Sequence, residues 1–170
     1  MDSAGTMLPE QTAVYVETLK KAVSIPVAFH GHNNLGLSVA NAIAAAEAGA
    51  TVFDCGLLGM ARSAGNCATE LLVATFQRLG YFKDIDLYKL LAFLDGELIP
   101  AMEEYNYHVA VKPFDLILGL AGCHSSFTKR FQNIADEMGV PLYQLIVEVS
   151  KRDQKAPSEE LIRQIAADLV

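Results

Sequence analysis

The stretch IPVAFHGHNN, residues 25–34, decides how the first part of this chain is interpreted. It opens as an apolar run that is too short for a helix, and it ends in two histidines separated by one glycine. We predict a buried strand over Ile25–Phe29, with Pro26 at its start, where the missing N–H does not interrupt a hydrogen-bond ladder. Thr51–Cys55 has the same apolar character and is predicted to be a second buried strand.

Helical segments alternate with these two strands. Apolar spacing and terminal signals predict helices over Pro9–Val23, Leu35–Ala48 and Cys67–Leu79, with Gly49 and Gly80 as stop signals. This alternation indicates the α/β class, with parallel strands covered on both faces. In such folds ligands bind at the carboxyl ends of the strands, which is where the two histidines fall.

Beyond Gly80 the sequence has helical patterns and no convincing strand. The change places a boundary near Lys83, so that residues 1–83 form an α/β portion and residues 84–170 form a helical portion. The helices predicted there are Asp84–Tyr105 (with Gly96 and Pro100 as possible breaks), Phe127–Met138, Pro141–Lys151 and Ser158–Leu169.

The composition describes a globular, acidic chain. Of its 170 residues, 52% are hydrophobic and 19% are charged, which excludes a disordered chain. The net charge of −7 argues against a nucleic-acid surface, because binding phosphates needs clustered Lys and Arg. No apolar run predicts a membrane span, and no signal peptide is predicted at the N-terminus. The three widely spaced cysteines predict free thiols in a reducing cytoplasm rather than disulfides or a zinc knuckle.

His30 and His32 are the strongest candidates for chemistry. Residues two apart along a strand point to one face, so both imidazoles can bind the same ion, and such a pair suits Zn, Mn, Fe, Co or Ni. A carboxylate and waters would complete the shell. Two surface histidines remain the alternative for the H-x-H pattern alone, but the position at a strand end favours a metal site.

Other candidates near this rim keep more than one interpretation. Asp54 is either a metal ligand, an acceptor that orients a histidine, or an acceptor for the next loop. The Gly59–Asn66 loop could present N–H groups to an anion, although glycine-rich loops are common. Ser3 precedes a predicted helix and either binds a carboxylate or caps that helix.

The segment CHSS, residues 123–126, combines a thiol, an imidazole and two hydroxyls. A nucleophilic Cys123–His124 pair needs contact between the side chains, which sequence neighbours rarely achieve. Ser125 or Ser126 is predicted instead to cap the helix that follows.

The order of these motifs resembles one family. FHGHNNLGLSVAN (residues 29–41), GMARSAGN (residues 59–66) and Thr69-Glu70 resemble the 4-hydroxy-2-oxovalerate aldolases. These belong to the metal-dependent TIM-barrel lyases and synthases, which include 3-hydroxy-3-methylglutaryl-CoA lyase and isopropylmalate synthase. GLAGCHSSF (residues 119–127) looks like the helical communication domain of the aldolase branch. The resemblance implies a partial TIM (β/α)8 barrel, its last two strands with flanking helices, followed by an all-helical domain.

The resemblance also implies roles for individual residues. His30 and His32 would be ligands of a divalent ion, usually Mn²⁺, which acts as a Lewis acid and stabilises the enolate of the 2-keto acid. Ser3 would touch the pyruvate carboxylate, and Asn66 would lie at the rim of the site. The reaction would be cleavage of a 4-hydroxy-2-oxo acid to pyruvate and an aldehyde, which would pass to a partner acylating aldehyde dehydrogenase.

Two departures from the family stand out. The chain has no Arg-Asp-Gly segment, which in the family supplies the third metal ligand and an arginine, so we expect the isolated chain to be inactive. Two strands cannot close a barrel, so we also expect homo-oligomers to form through the open sheet and apolar helix faces. His124 stands where the aldolases usually carry a tyrosine, and histidine can also do acid–base work. A non-catalytic module that binds a dehydrogenase or another aldolase chain is one alternative. A synthase relative that condenses an acyl-CoA with a 2-keto acid is another, although the tail argues against it.

Overall fold

The computed structural model describes residues 2, 5–61, 64–105, 107, 113–114, 117, 121, 123 and 125–170. The chain divides into two compact units, Met1–Leu87 and Tyr88–Val170. The first combines helices with a parallel sheet, so the predicted α/β class is confirmed. Its elements are α1 (Pro9–Ala22), β1 (Ala28–His30), α2 (Ser38–Glu47), β2 (Val52–Asp54), a 3-10 turn (Leu57–Gly59) and α3 (Thr69–Arg78).

The sheet pairs β1 with β2 in parallel, and His30 stands opposite Asp54. β1 begins three residues later than predicted and extends through His30, because strand limits follow the pairing partner rather than the apolar run. On the other side of β1, the N–H of Asp2 donates to the carbonyl of His30 (2.8 Å), and the N–H of His32 donates to the carbonyl of Asp2 (3.1 Å). The histidine segment is therefore held by backbone hydrogen bonds on both sides.

One face of this sheet packs on an apolar core. Phe29 is 5% exposed and packs with buried residues from α1, α2 and α3. Ala42 and Ala45 of α2 are fully buried, and their small side chains let the helix approach the sheet closely. Phe53 of β2 meets the buried ring of Phe76 edge-on, at 5.0 Å between centroids. This core holds the strands in the register that places His30 and Asp54 side by side.

The other face of the sheet is exposed in the described part of the chain. Val52 is 49% exposed, and Asp54 and Ala28 are exposed as well. Side chains alternate between the faces of a strand, so these residues and His30 share the face opposite Phe29 and Phe53. The prediction of strands covered on both faces is wrong for these residues, because the helices that contribute to the core all pack on the Phe29 side.

The described elements of the second unit are helical. Its core is built by the three helices Thr128–Met138, Leu142–Ser150 and Glu159–Ala167, whose fully buried side chains include Phe131, Leu145 and Ile162. The helices are α4 (Leu87–Phe93), a π-helical turn (Leu94–Leu98), α5 (Ile99–Glu103), a 3-10 turn (Ser125–Phe127), α6 (Thr128–Met138), α7 (Leu142–Ser150) and α8 (Glu159–Ala167). Across both units, none of the helices in the described ranges combines the length and the apolarity that crossing a bilayer requires.

Two local predictions in this unit have different outcomes. The break expected near Gly96 is a π-helical turn ahead of Pro100, whose ring nitrogen has no hydrogen to donate to the carbonyl of Gly96. The residue at the N-cap of α6 is Phe127 rather than Ser125 or Ser126, which belong to the 3-10 turn before this helix.

Candidate metal centre

The two predicted metal ligands lie together at the carboxyl end of β1. The ring centroids of His30 and His32 are 5.3 Å apart, and the ring planes are inclined at 68°. His32 is buried, at 5% exposure, whereas the side chain of His30 is 22% exposed. Two imidazoles this close can turn toward one ion, which is what a metal site built on an H-x-H sequence requires.

Asp54 orients the more accessible of the two rings. Its Oδ2 lies 2.9 Å from Nδ1 of His30, across the parallel pair that the strand register creates. A carboxylate at Nδ1 favours the tautomer that carries its proton there, which leaves the lone pair of Nε2 for an ion. Of the three interpretations left open for Asp54, this geometry favours the acceptor that orients a histidine. The pair is exposed, so it positions the ring more than it stabilises the fold.

Two buried polar atoms beside the rings have no hydrogen-bond partner within the described structure, Nδ1 of His32 and Oδ1 of Asn66. Their residues face each other across an antiparallel bridge. A buried polar atom without a partner costs about 1–3 kcal/mol, so native proteins keep such atoms mainly where water, an ion or a substrate supplies the partner. The atoms therefore fit a site that receives a cation or a polar ligand.

The loop that leads to Asn66 is pinned to the histidine segment. The N–H of Asn66 donates to the carbonyl of Gly59 at 2.9 Å, and the N–H of Asn33 donates to the carbonyl of Gly65 at 2.8 Å. Gly65 has φ of +82°, and a Cβ there would lie 2.2 Å from the carbonyl oxygen of Gly59. Only glycine fits at this position, so the backbone turn by itself accounts for this glycine of the loop.

Glu70 anchors the start of the same loop. Its carboxylate is 4% exposed and accepts a hydrogen bond from the N–H of Leu58 at 3.1 Å. Leu58 has φ of 56°, a left-handed conformation that is strained for a leucine. Burial raises the pKa of Glu70 above its usual value. Glu70 is part of a sequence motif, but its role could not be predicted, because the group it binds is a backbone N–H twelve residues away.

Two further polar residues fix the backbone ahead of α1 and at the start of α2. The carboxylate of Asp2, which is buried, accepts from the N–H groups of Thr6 (3.0 Å) and Met7 (3.2 Å) ahead of α1. Oδ1 of Asn33 accepts from the N–H of Ser38 (3.2 Å) and from its hydroxyl (2.8 Å) at the start of α2. An Asp or Asn followed by a helix start was the available signal.

The structure describes only some of the remaining candidate residues. Ser3 and His124 lie outside the described residues, and their roles stay predictions. Cys123 is buried and burial raises the pKa of its thiol, which disfavours a thiolate nucleophile. Among the described residues there is no group of three or more His, Cys, Asp or Glu side chains arranged to hold a metal ion.

The chain belongs to the HMGL-like family, whose model matches residues 1–95. Residues 109–170 match the DmpG-like communication domain, so the resemblance predicted from the motifs is confirmed. The chain is 38% identical over 169 residues to a protein named 4-hydroxy-2-oxovalerate aldolase 2 of Rhodococcus opacus, covering 99% of this chain and 48% of that protein. It is 39% identical over 170 residues to the 4-hydroxy-2-oxovalerate aldolase of Pectobacterium atrosepticum, with 99% and 48% covered.

The chain spans about half the length of the curated relatives it matches. Two solved structures resemble part of it. The HMG-CoA lyase of Bacillus subtilis superposes with a TM-score of 0.56 at 26% identity, over 65% of this chain and 38% of the lyase. The N-terminal domain of a putative aldolase from Bacteroides vulgatus gives 0.51 at 30% identity, over 61% of this chain and 34% of that chain. The relatives support the lyase and aldolase class for this chain by resemblance.

Proposed function

We propose that this chain carries part of the active site of a divalent-metal-dependent aldolase, which cleaves a 4-hydroxy-2-oxo acid to pyruvate and an aldehyde. The observation that carries the proposal is the imidazole pair at the end of β1, with Nδ1 of His30 held 2.9 Å from the Asp54 carboxylate. Relatives that cover nearly the whole chain are named as aldolases of this type.

Each residue has a defined task in this proposal. His30 and His32 would hold the ion, for which we propose Mn²⁺. When bound, the ion would supply Lewis-acid polarisation of the 2-keto group and would balance the negative charge of the pyruvate enolate. Asn66 has a buried oxygen without a partner in the described structure and would hydrogen-bond a polar group of the substrate. We keep Ser3 as the contact of the pyruvate carboxylate and His124 as the acid–base group.

We propose that the exposed sheet face is the interior of a (β/α)8 barrel. Residues 1–83 would be the end of that barrel, and residues 84–170 a helical communication domain. Strands from a segment outside these 170 residues would cover Val52 and Asp54, close the free edge of β2, and add a carboxylate ligand and an arginine. Two observations support this proposal. The face that carries Val52 is exposed, although parallel sheets are normally covered on both faces, and the chain spans about half the length of its relatives.

The match of residues 109–170 supports a partner that receives the aldehyde product, and we propose an acylating aldehyde dehydrogenase. Direct transfer between two enzymes would keep the reactive aldehyde from solution. The homo-oligomer and the cytoplasmic location predicted from the sequence remain part of the proposal.

Direct binding of Mn²⁺ to the full chain tests the metal site. Electron paramagnetic resonance reports free Mn²⁺, so the affinity can be measured without any activity. We expect binding to be lost in the His30→Ala/His32→Ala double variant. The affinity should fall about 10-fold or more in Asp54→Ala, the range found when groups that orient metal ligands are removed.

His108→Ala is the matched control, because it removes a histidine to which the proposal gives no role and should leave Mn²⁺ binding unchanged. Wild-type affinity in the double variant would contradict the proposal. An equal loss in His108→Ala would show that binding depends only on the number of histidines.

A further inference from the structure

Two of the three cysteines, which the sequence places far apart, meet beside the candidate site. Gly56 and Ala68 form a parallel bridge, in which the N–H of Gly56 donates to the carbonyl of Cys67 at 3.0 Å. Thr69 completes the bridge by donating its N–H to the carbonyl of Gly56 at 2.9 Å. Cys55 and Cys67 immediately precede the bridged residues, so they stand opposite each other, and partners in a parallel pair direct their side chains to the same face.

Three further observations place the two thiols together. Both residues belong to the apolar cluster on the Phe29 side, where Cys67 is 1% exposed and Cys55 is partly buried. The hydroxyl of Thr69 donates to Sγ of Cys55 at 3.3 Å, which marks the direction of that side chain. The pKa of Cys67 is raised to about 12, mainly by burial; a hydrogen bond with Ser38 lowers it, and the charge of a nearby Cys55 thiolate raises it.

The backbone spacing suits a covalent bond between them. Neighbouring extended segments lie about 4.8 Å apart, and disulfides join Cα atoms that are roughly 4.4–6.8 Å apart. Both cysteines are free thiols in the structure. We propose that Cys55 and Cys67 form a reversible disulfide when the chain meets a disulfide oxidant such as oxidised glutathione.

The oxidation is a balanced exchange of thiols and disulfides. The thiolate of Cys55, the more accessible of the pair, attacks one sulfur of oxidised glutathione and expels a glutathione thiolate. Cys67 then gives up its proton to the expelled glutathione thiolate and attacks Sγ of Cys55, and this second exchange is the slower one because burial raises the pKa of Cys67. The Cys55–Cys67 bond forms, the bond to glutathione breaks, and a second glutathione leaves. Two protein thiols are oxidised, and one oxidised glutathione is reduced to two reduced molecules.

The bond would act on the candidate metal centre, a consequence that rests on the proposed function. The ring it closes contains the whole Gly56–Asn66 loop. The N–H of Cys67 donates to the carbonyl of Gly31 at 3.0 Å, between the two histidines, and Asn66 is bridged to His32. The bond fixes the position of Cys67, which supports Gly31 and adjoins Asn66, so we expect it to alter the backbone support of His32 and Asn66. Oxidation would weaken the site, and reduction would restore it.

Thiol mapping of the native chain tests the disulfide. We would incubate the full chain with oxidised glutathione, block remaining thiols, and identify linked peptides by mass spectrometry. We expect one free thiol per chain, at Cys123, and a peptide that joins Cys55 to Cys67 and disappears on reduction. Separate glutathione adducts, a linkage to Cys123 or a bond between chains would each overturn the proposal.

Three cysteine variants sharpen the result. Cys123→Ala should still lose both of its thiols to the bond, whereas Cys55→Ala and Cys67→Ala should form no bond within the chain. The wild-type map needs none of these variants, so a variant that fails to fold leaves the test intact.

Mn²⁺ binding by the Cys123→Ala chain separates this inference from the proposed function. We expect the affinity of the oxidised form to be roughly tenfold lower than that of the reduced form, a loss typical when support of a metal ligand changes. Equal affinity in the two forms would refute control of the site and leave the disulfide standing. If the His30→Ala/His32→Ala variant bound Mn²⁺ normally, the proposed function would fail while the thiol map would be unaffected.

Discussion

Individual residues around β1 show why chemistry collects at this strand end. His30 gains its orientation from Asp54, a residue that the register places opposite it. His32 gains its position from backbone bonds to Asp2 and to the Asn66 segment. The side chains that could bind a ligand are thus held by groups that lie far away in the sequence. A single substitution at a supporting residue should disturb the site without removing a ligand.

Glu70 allows a test at the scale of one residue. Its pKa is raised above 4.5 in the folded protein, mainly by burial. A raised pKa means that the folded state holds its proton more tightly than the unfolded state does. The stability that Glu70 contributes is therefore fully present below about pH 4.5, the unfolded pKa, and is lost as the pH rises through the higher folded pKa.

We expect this pH dependence to disappear in Glu70→Gln, whose amide oxygen can still accept from the Leu58 N–H but does not titrate. Urea unfolding at a series of pH values measures the effect as a difference between the two chains. Glu70→Ala removes the acceptor altogether and should cost about 1–3 kcal/mol below about pH 4.5, where the contribution of Glu70 is fully present. An identical pH profile in the wild type and Glu70→Gln would show that this carboxyl titrates alike in both states.

Elements were predicted with unequal success, for physical reasons. α1 begins at Pro9 as predicted, and α6 ends at Met138 as predicted, because a helix is defined by local apolar spacing and end signals. The bounds of the two strands differ from the predicted bounds because a strand ends where its pairing partner ends. The His30–His32 pair could be predicted from alternation along a strand. The meeting of Cys55 with Cys67 could not, because it depends on how the Gly56–Asn66 loop returns to the sheet.

The packing of α3 on the sheet provides a prediction at the scale of elements. The ring of Phe76 is 1% exposed and is stacked on Phe82 at 5.3 Å, with Phe53 edge-on at 5.0 Å. Phe76→Ala should leave a cavity in this cluster and cost about 3–5 kcal/mol of unfolding free energy. Tyr81→Ala is a matched control, because that ring also contacts Phe76 but is 57% exposed. Urea unfolding of the full chain measures both, and equal losses would mean that Phe76 does not anchor α3.

At the scale of the whole molecule, the exposed sheet face and the two-imidazole site lead to the same expectation. A sheet face with Val52 at 49% exposure needs a cover, and a metal site to which the described residues offer only two imidazoles would need further ligands. Both needs would be met at once if further strands closed a barrel over the ends of β1 and β2. The isolated chain should then bind Mn²⁺ weakly and release no pyruvate.

A chimera tests this expectation directly. This chain would replace the matching 48% of the Rhodococcus opacus aldolase, with the rest of that protein left in place. We expect the chimera to bind Mn²⁺ more tightly than the isolated chain and to release pyruvate from 4-hydroxy-2-oxovalerate, measured through a coupled lactate dehydrogenase assay. His30→Ala/His32→Ala in the chimera should abolish release, and His108→Ala should not. A folded chimera that binds Mn²⁺ yet releases no pyruvate would contradict the aldolase function.

His124→Tyr in the chimera then tests the acid–base role of residue 124. A free histidine titrates near about pH 6.5 and a free tyrosine near about pH 10, so the substitution should shift the pH profile of kcat. An unchanged pH profile would exclude His124 as the acid–base group.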